Sequence, residues 1–293
     1  MRALVFIVSM ALMAALTATA NALMSGDRPS APWVSFVLSE LVPAITAYLI
    51  LTLAMEGRVW PWEIKPGRVL GLFKGMFLGA LLVAVCVGVL ALLGSYSIIG
   101  FNWHYSPWND LLTLGVTAGV AEEIMMRGTL FRLVEEGLGT WGGVAISACV
   151  FGGAHLTNPD GTLWGATSIA IEAGILFAAV YIITRSLWWC IGLHFAWNVA
   201  EGPVFGSIVS GSGAQDSWLV ASWTGPELLT GGVFGLEASI VPVILLGALG
   251  VAALVYAWRK GLMISPIWIR KRTLTASSQT LVHENPEISP LTS

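Results

Sequence analysis

A few polar side chains sit inside stretches otherwise too apolar to hold them: Glu122 with Glu123, His155, His194 and Asn198. An ionisable group in hydrocarbon costs from ~3 to above 10 kcal/mol, so such groups persist where they meet one another or meet water. Two carboxylates, two imidazoles and an amide form a set that can activate water and hold an oxyanion.

Spacing adds detail. In Glu122-Glu123-Ile124-Met125-Met126-Arg127, Glu123 and Arg127 are four apart and share a helix face, acid before base. Glu122 is rotated from that face by about 100°. One carboxylate can then be neutralised by the guanidinium while the other stays free to act as a general base. The competing reading is a buried ion pair that only fixes packing. In Phe151-Gly152-Gly153-Ala154-His155, ring and imidazole share a face, and the paired glycines let a neighbouring helix approach. A histidine that merely donates to a backbone carbonyl would look the same. In His194-Phe195-Ala196-Trp197-Asn198, imidazole and amide project together and can aim two N–H groups at a developing oxyanion. An interhelical hydrogen-bonded pair worth ~1 kcal/mol is the plain alternative.

These residues need elements to position them, and the composition says which kind. Of 293 residues 56% are hydrophobic and 11% charged, and the mean hydropathy is +0.79. Soluble domains carry about 25% charged residues, so this is a membrane composition. Runs near the bilayer-spanning length recur at about 3–23, 33–55, 69–94, 110–133, 141–157, 163–184, 187–203 and 230–257. The expected fold is an all-α membrane protein, a polytopic bundle of about eight transmembrane helices. The divisions are 1–23 (first span or cleavable signal peptide), 24–258 (membrane domain) and 259–293 (basic cytoplasmic tail, partly disordered). Arg2, an apolar run and Ala18-Thr19-Ala20-Asn21-Ala22 leave span and signal peptide both open.

Eight crossings from an inside N-terminus put thirteen of the 14 Lys and Arg on the inner side and Arg28 alone outside, as cytoplasmic loops prefer. This implies the cytoplasmic membrane and a cytoplasmic C-terminus. Trp33, Trp103, Trp108, Trp141, Trp164, Trp188, Trp189 and Trp258 fall near span ends, and Trp197 is internal. Residues 95–109 form an aromatic outer loop, and 204–229, lacking Lys and Arg, an outer loop or re-entrant segment. Arg259-Lys260 and Arg270-Lys271-Arg272 bracket a stretch that is either an interfacial helix on anionic lipid or ordinary inner-side charge. Cys86, Cys149 and Cys190 lie in apolar segments without a CxxC pair and read as packing residues. A net charge of -3 with dispersed basic residues gives no nucleic-acid partner. Glu40, Lys74 and Glu172 also fall within spans; Glu172 either lines a cavity or bonds a neighbour. Rises of ~1.5 Å per residue put Glu122, His155 and His194 roughly 17, 21 and 11 Å from the inner surface, compatible with one layer.

Glu-Glu-x-x-x-Arg, Phe-x-x-x-His and His-x-x-x-Asn on successive spans resemble the CPBP intramembrane proteases, which include the Rce1-type CAAX prenyl endopeptidases and the bacterial Abi proteins. The core of the resemblance runs over 111–202, within a protease core at about 108–202, and Gly202-Pro203-Val204-Phe205-Gly206, Gly225-Pro226-Glu227 and Gly231-Gly232-Val233-Phe234-Gly235 extend it to about 240. It implies that Glu122 activates the water with His155, that His194 and Asn198 form the oxyanion hole, and that Glu123, Arg127 and Phe151 support the site. It also implies an intramembrane endopeptidase that acts on a peptide or membrane-associated protein beside membrane lipid. Met125-Met126 stands where the family often has an aromatic residue before the arginine. A zinc ion on Glu122, His155 and His194 is conceivable, but no HExxH pair is present, and the expectation is no metal cofactor. Two rivals stay open: a proton-coupled transporter, since intramembrane Glu and His can relay protons, and a non-catalytic scaffold.

Overall fold

In a computed structural model the chain is described over residues 32–272, together with Ala11 and Ala15. Apart from those two alanines, the expected first span or leader at 1–23 lies outside the described residues, as does the tail beyond 272.

Helix α1 (Trp33–Met55) runs until Glu56 and Gly57 end the apolar stretch, Gly57 at φ 67°. The charged loop that follows is pinned from below. Buried Glu63 accepts from Tyr48 Oη at 2.8 Å and from Arg58 Nη1 at 3.0 Å. Burial opposes ionisation of Glu63, but the Arg58 and Tyr48 hydrogen bonds outweigh it and hold the carboxyl below its ordinary range. Arg132 reaches the same loop through Glu56 at 2.8 Å.

Helix α2 (Leu70–Leu92) stops at Gly94, whose φ of 75° is the left-handed geometry that terminates helices. Beyond it β1 (Tyr96–Phe101) crosses the expected aromatic loop. The segment Trp108–Thr157 is helical over 50 residues, but Gly139 at φ 78° and ψ 174° breaks it. The two expected spans, 110–133 and 141–157, are therefore α3 (108–138) and α4 (140–157), joined by one bent residue. A Cβ at Gly139 would lie 2.7 Å from the Ile264 carbonyl, which itself accepts from Thr140 N at 2.9 Å. Within α3, wide π-type stretches at Leu111–Ala118 and Ile124–Phe131 flank the turn Gly119–Glu123; such departures cluster at functional sites.

Helix α5 (Leu163–Thr184) begins with Thr162 Oγ1 accepting from Gly165 N at 2.9 Å. It ends at Arg185, whose guanidinium grips Glu135 of α3. Helix α6 (187–204) follows. The expected 204–229 loop contains β2 (Leu219–Trp223), paired antiparallel with β1 from Tyr96↔Trp223 to Phe101↔Leu219, so one ribbon zips the two loops together. The short α7 (Glu227–Thr230) precedes α8 (Ile240–Arg259). The last span thus starts ten residues later than expected, because Gly231, Gly232 and Gly235 all take positive φ.

Among the described residues five helical segments are long and apolar enough to cross a bilayer, α3 and α4 counting as one. Helix α6 is not among them: His194, Asn198 and Glu201 make it more polar, although it is continuous. The chain is a helical, multi-pass membrane protein. Trp197 is buried, while Trp103, Trp108, Trp141 and Trp258 are exposed, as an interfacial belt requires.

The tightest packing lies between α2 and α6. A Cβ at Gly75 or Gly79 would sit 2.3 or 2.4 Å from the carbonyls of Trp189 and Leu193, and one at Gly192 only 2.0 Å from Leu72 O. Small residues permit such backbone contact. Gly192→Ala is expected to force the helices apart and cost about 1–3 kcal/mol, seen as a lower melting temperature in detergent. Gly153→Ala, at a position with nothing within 4 Å, is the matched control. Of the two glycines expected to admit a neighbour, Gly152 alone does so, against Ala166 O of α5.

Candidate active site

The polar residues of α3, α4 and α6 converge. Glu122, His155, His194 and Asn198 line one cavity of about 700 Å³, with Phe151, Met125 and Met126 in the same wall. Glu122 is a quarter exposed, and its Oε2 has no hydrogen-bond partner. That oxygen faces His194 Nε2 at 3.9 Å.

Glu123 turns the other way. It is fully buried, and its Oε1 takes both Arg127 Nη1 at 2.8 Å and His194 Nδ1 at 3.0 Å. The helix rotation between adjacent acids separates their surroundings, as the sequence implies. Arg127, also fully buried, donates to Ala173 O at 3.0 Å and stacks over Phe151 and Phe177 at 5.0 and 5.1 Å. The ion pair therefore ties α3 to α5, and it holds the His194 ring. A carboxylate at Nδ1 fixes Nδ1–H there and leaves Nε2 toward the cavity.

His155 sits on the 3₁₀ turn His155–Thr157 that closes α4. Its Nδ1 lies 2.7 Å from Phe151 O. A carbonyl only accepts, so Nδ1 donates and Nε2 is left with a lone pair. The backbone-donor alternative is thus realised, and it orients the ring without using the second nitrogen. Asn198 Nδ2 donates to Leu114 O at 3.0 Å; the second N–H of that amide is uncommitted. Phe151 meets both imidazoles edge-on, at 4.9 and 6.1 Å.

Three residues in or near the site lie beyond this pattern. Ser210 lines the cavity from the loop after α6, at the strained φ of 50°. Its carbonyl accepts from Asn158 Nδ2 at 2.6 Å, and its Oγ donates to Glu237 Oε2 at 2.5 Å. Glu237 also takes Trp197 Nε1 at 3.1 Å, one residue from Asn198. Buried Glu201 follows on α6. Behind the histidines, Glu172, Glu237 and Ser210 border an enclosed space of about 10 Å³. Glu172 therefore lines a cavity and bonds no neighbour: it is 1% exposed and neither oxygen has a partner. Removing an unpartnered buried carboxylate relieves desolvation and leaves no orphan. Glu172→Met is expected to leave the melting temperature unchanged or raise it.

Among the described residues no three His, Cys, Asp or Glu side chains come together as a metal-ligand set. In the conceivable zinc triad of Glu122, His155 and His194, both imidazoles engage through Nδ1, His194 with Glu123 and His155 with the Phe151 carbonyl, so their Nε2 atoms are the ones left over.

No curated protein matches the chain. Residues 102–200, about a third of its length, match the family described as Type II CAAX prenyl endopeptidase Rce1-like, and all seven motif residues from Glu122 to Asn198 fall within that segment. Over that segment the chain is similar to the Rce1-like peptidases.

Proposed function

We propose that the protein is an intramembrane endopeptidase that hydrolyses a peptide bond with a water activated by Glu122. Its substrate is a peptide or membrane-associated protein presented beside membrane lipid. The supporting observation is the shared cavity, which Glu122, His155, His194 and Asn198 all line.

In this mechanism a water sits between the Glu122 carboxylate and His155 Nε2. Glu122 takes its proton while the oxygen adds to the scissile carbonyl. The oxyanion is met by the free Asn198 N–H and by His194 Nε2. For Nε2 to donate while Nδ1–H is held by Glu123, the ring carries both protons as an imidazolium, with Glu123 as its counter-ion. Glu122 then returns the proton to the leaving amine as the C–N bond breaks. No resident metal takes part. The protein resides in the cytoplasmic membrane with its C-terminus inside, a reading supported by the Lys and Arg asymmetry of the loops.

The test is hydrolysis of internally quenched peptides by the purified protein in detergent or liposomes, with Glu122→Gln as the matched inactive form. Equal cleavage by both proteins rejects the mechanism. Proton flux in liposomes that depends on Glu122, with no peptide cleavage, would favour the transporter instead.

A further inference from the structure

Helix α1 lies outside the family-matched segment, yet it builds part of the cavity wall through Phe36 and Glu40. Glu40 has no hydrogen bond and no ion pair among the described residues, and it shares the cavity wall with Glu122. Two carboxylates thus line one void of about 700 Å³ without a described Lys or Arg; the His194 imidazolium of the mechanism stands beside Glu122 at 3.9 Å and leaves Glu40 without a cation. Arg127, the nearest guanidinium to Glu122 in sequence, is spent on Glu123 and turned away. Like charges facing each other at low dielectric repel strongly, and the attraction for a cation placed between them grows for the same reason. Phe36, Leu114, Met125 and Val209 give the wall an apolar part, beside the polar side chains of Thr113, Thr157, Asn158, Ser210 and Ser212. An aliphatic stem ending in a charge fits such a space, with the stem on the apolar part of the wall and the head on Glu40.

Resting on the peptidase reading above, we propose that Glu40 is a specificity-determining residue that selects peptides carrying a Lys or Arg side chain close to the scissile bond. Glu122 is occupied with the water in the mechanism, so Glu40 is the acid left to pair with the substrate cation. Phe36, one helical turn earlier, packs on the stem.

The experiment uses the full-length protein in detergent and internally quenched peptides identical except at one position, scanned through the residues flanking the cleaved bond. That position carries Lys, Gln or Glu, and each peptide is made with a free and an acetylated N-terminus. The expected order of kcat/KM is Lys above Gln above Glu, by about ten-fold or more at the preferred position, whether or not the terminus is acetylated. In Glu40→Gln the Lys-to-Gln ratio falls toward one, in Glu40→Lys it inverts, and in Glu40→Asp it is largely retained. Cleavage by the wild-type protein without charge discrimination overturns the proposal, as does a ratio that survives Glu40→Gln. A preference lost on acetylation assigns the cation to the substrate's amino terminus and overturns it too. Failure to cleave every peptide rejects the peptidase reading and this proposal together.

Discussion

The Glu122→Gln protein is expected to lose peptide hydrolysis by between ~10² and ~10⁴ in kcat, the range a positioned general base contributes. Glutamine keeps the shape of the side chain but cannot take the proton of the attacking water. The substitution should disturb the fold little, because Glu122 Oε2 takes no hydrogen bond and faces His194 Nε2 only at 3.9 Å. The loss should appear in kcat and kcat/KM together, with KM little moved, as for an interaction made only in the transition state. Single-turnover cleavage of a quenched peptide measures the chemical step directly. Activity within ten-fold of wild type, alongside an unchanged melting temperature, would remove Glu122 from the reaction.

Arg127→Met should be the most damaging change to the structure. Glu123 and Arg127 are both fully buried, and deleting one partner of a buried pair leaves an uncompensated charge worth about 3–5 kcal/mol. The guanidinium also satisfies the Ala173 carbonyl of α5 and stacks on two aromatic rings. Thermal unfolding in detergent should show a large drop, and Glu123→Gln combined with Arg127→Met should recover part of it, because the orphaned carboxylate is gone. Catalysis should not recover in the double variant. Glu123 holds His194 at Nδ1, and an amide there no longer supplies the imidazolium's counter-ion. Additive losses in the double-mutant cycle would mean that the two side chains do not act as a pair.

Most of the site was legible in the sequence because one rule finds it: an ionisable residue inside an apolar run needs a partner or water. The same rule applied to Glu201 and Glu237 would have found the cluster behind the histidines, but both lie beside Gly and Pro residues that blur the ends of the spans. The helical period correctly assigned Glu123 to Arg127 and Glu122 to another face. It could not show that Glu123 also holds His194, since that contact joins residues 71 apart. Ser210 was invisible for a related reason: a serine in a Gly-rich loop carries no signal until the chain folds it back onto Asn158 and Glu237. The fold was read well where hydropathy is continuous. Glycine conformation decides the rest: Gly139 alone parts the two expected spans α3 and α4, and positive φ at Gly231, Gly232 and Gly235 starts the last span later than expected.

Backbone contact along Gly75, Gly79 and Gly192 leaves no slack between α2 and α6. His194 and Asn198 ride on α6, so they form a fixed jaw that is set when the protein folds. On the proposed peptidase function, substrates of differing bulk are accommodated by the opposing jaw, where α1 brings Phe36 and Glu40 and the loop brings Ser210. Evolution can retune what this enzyme accepts by changing that side alone, leaving the chemistry untouched.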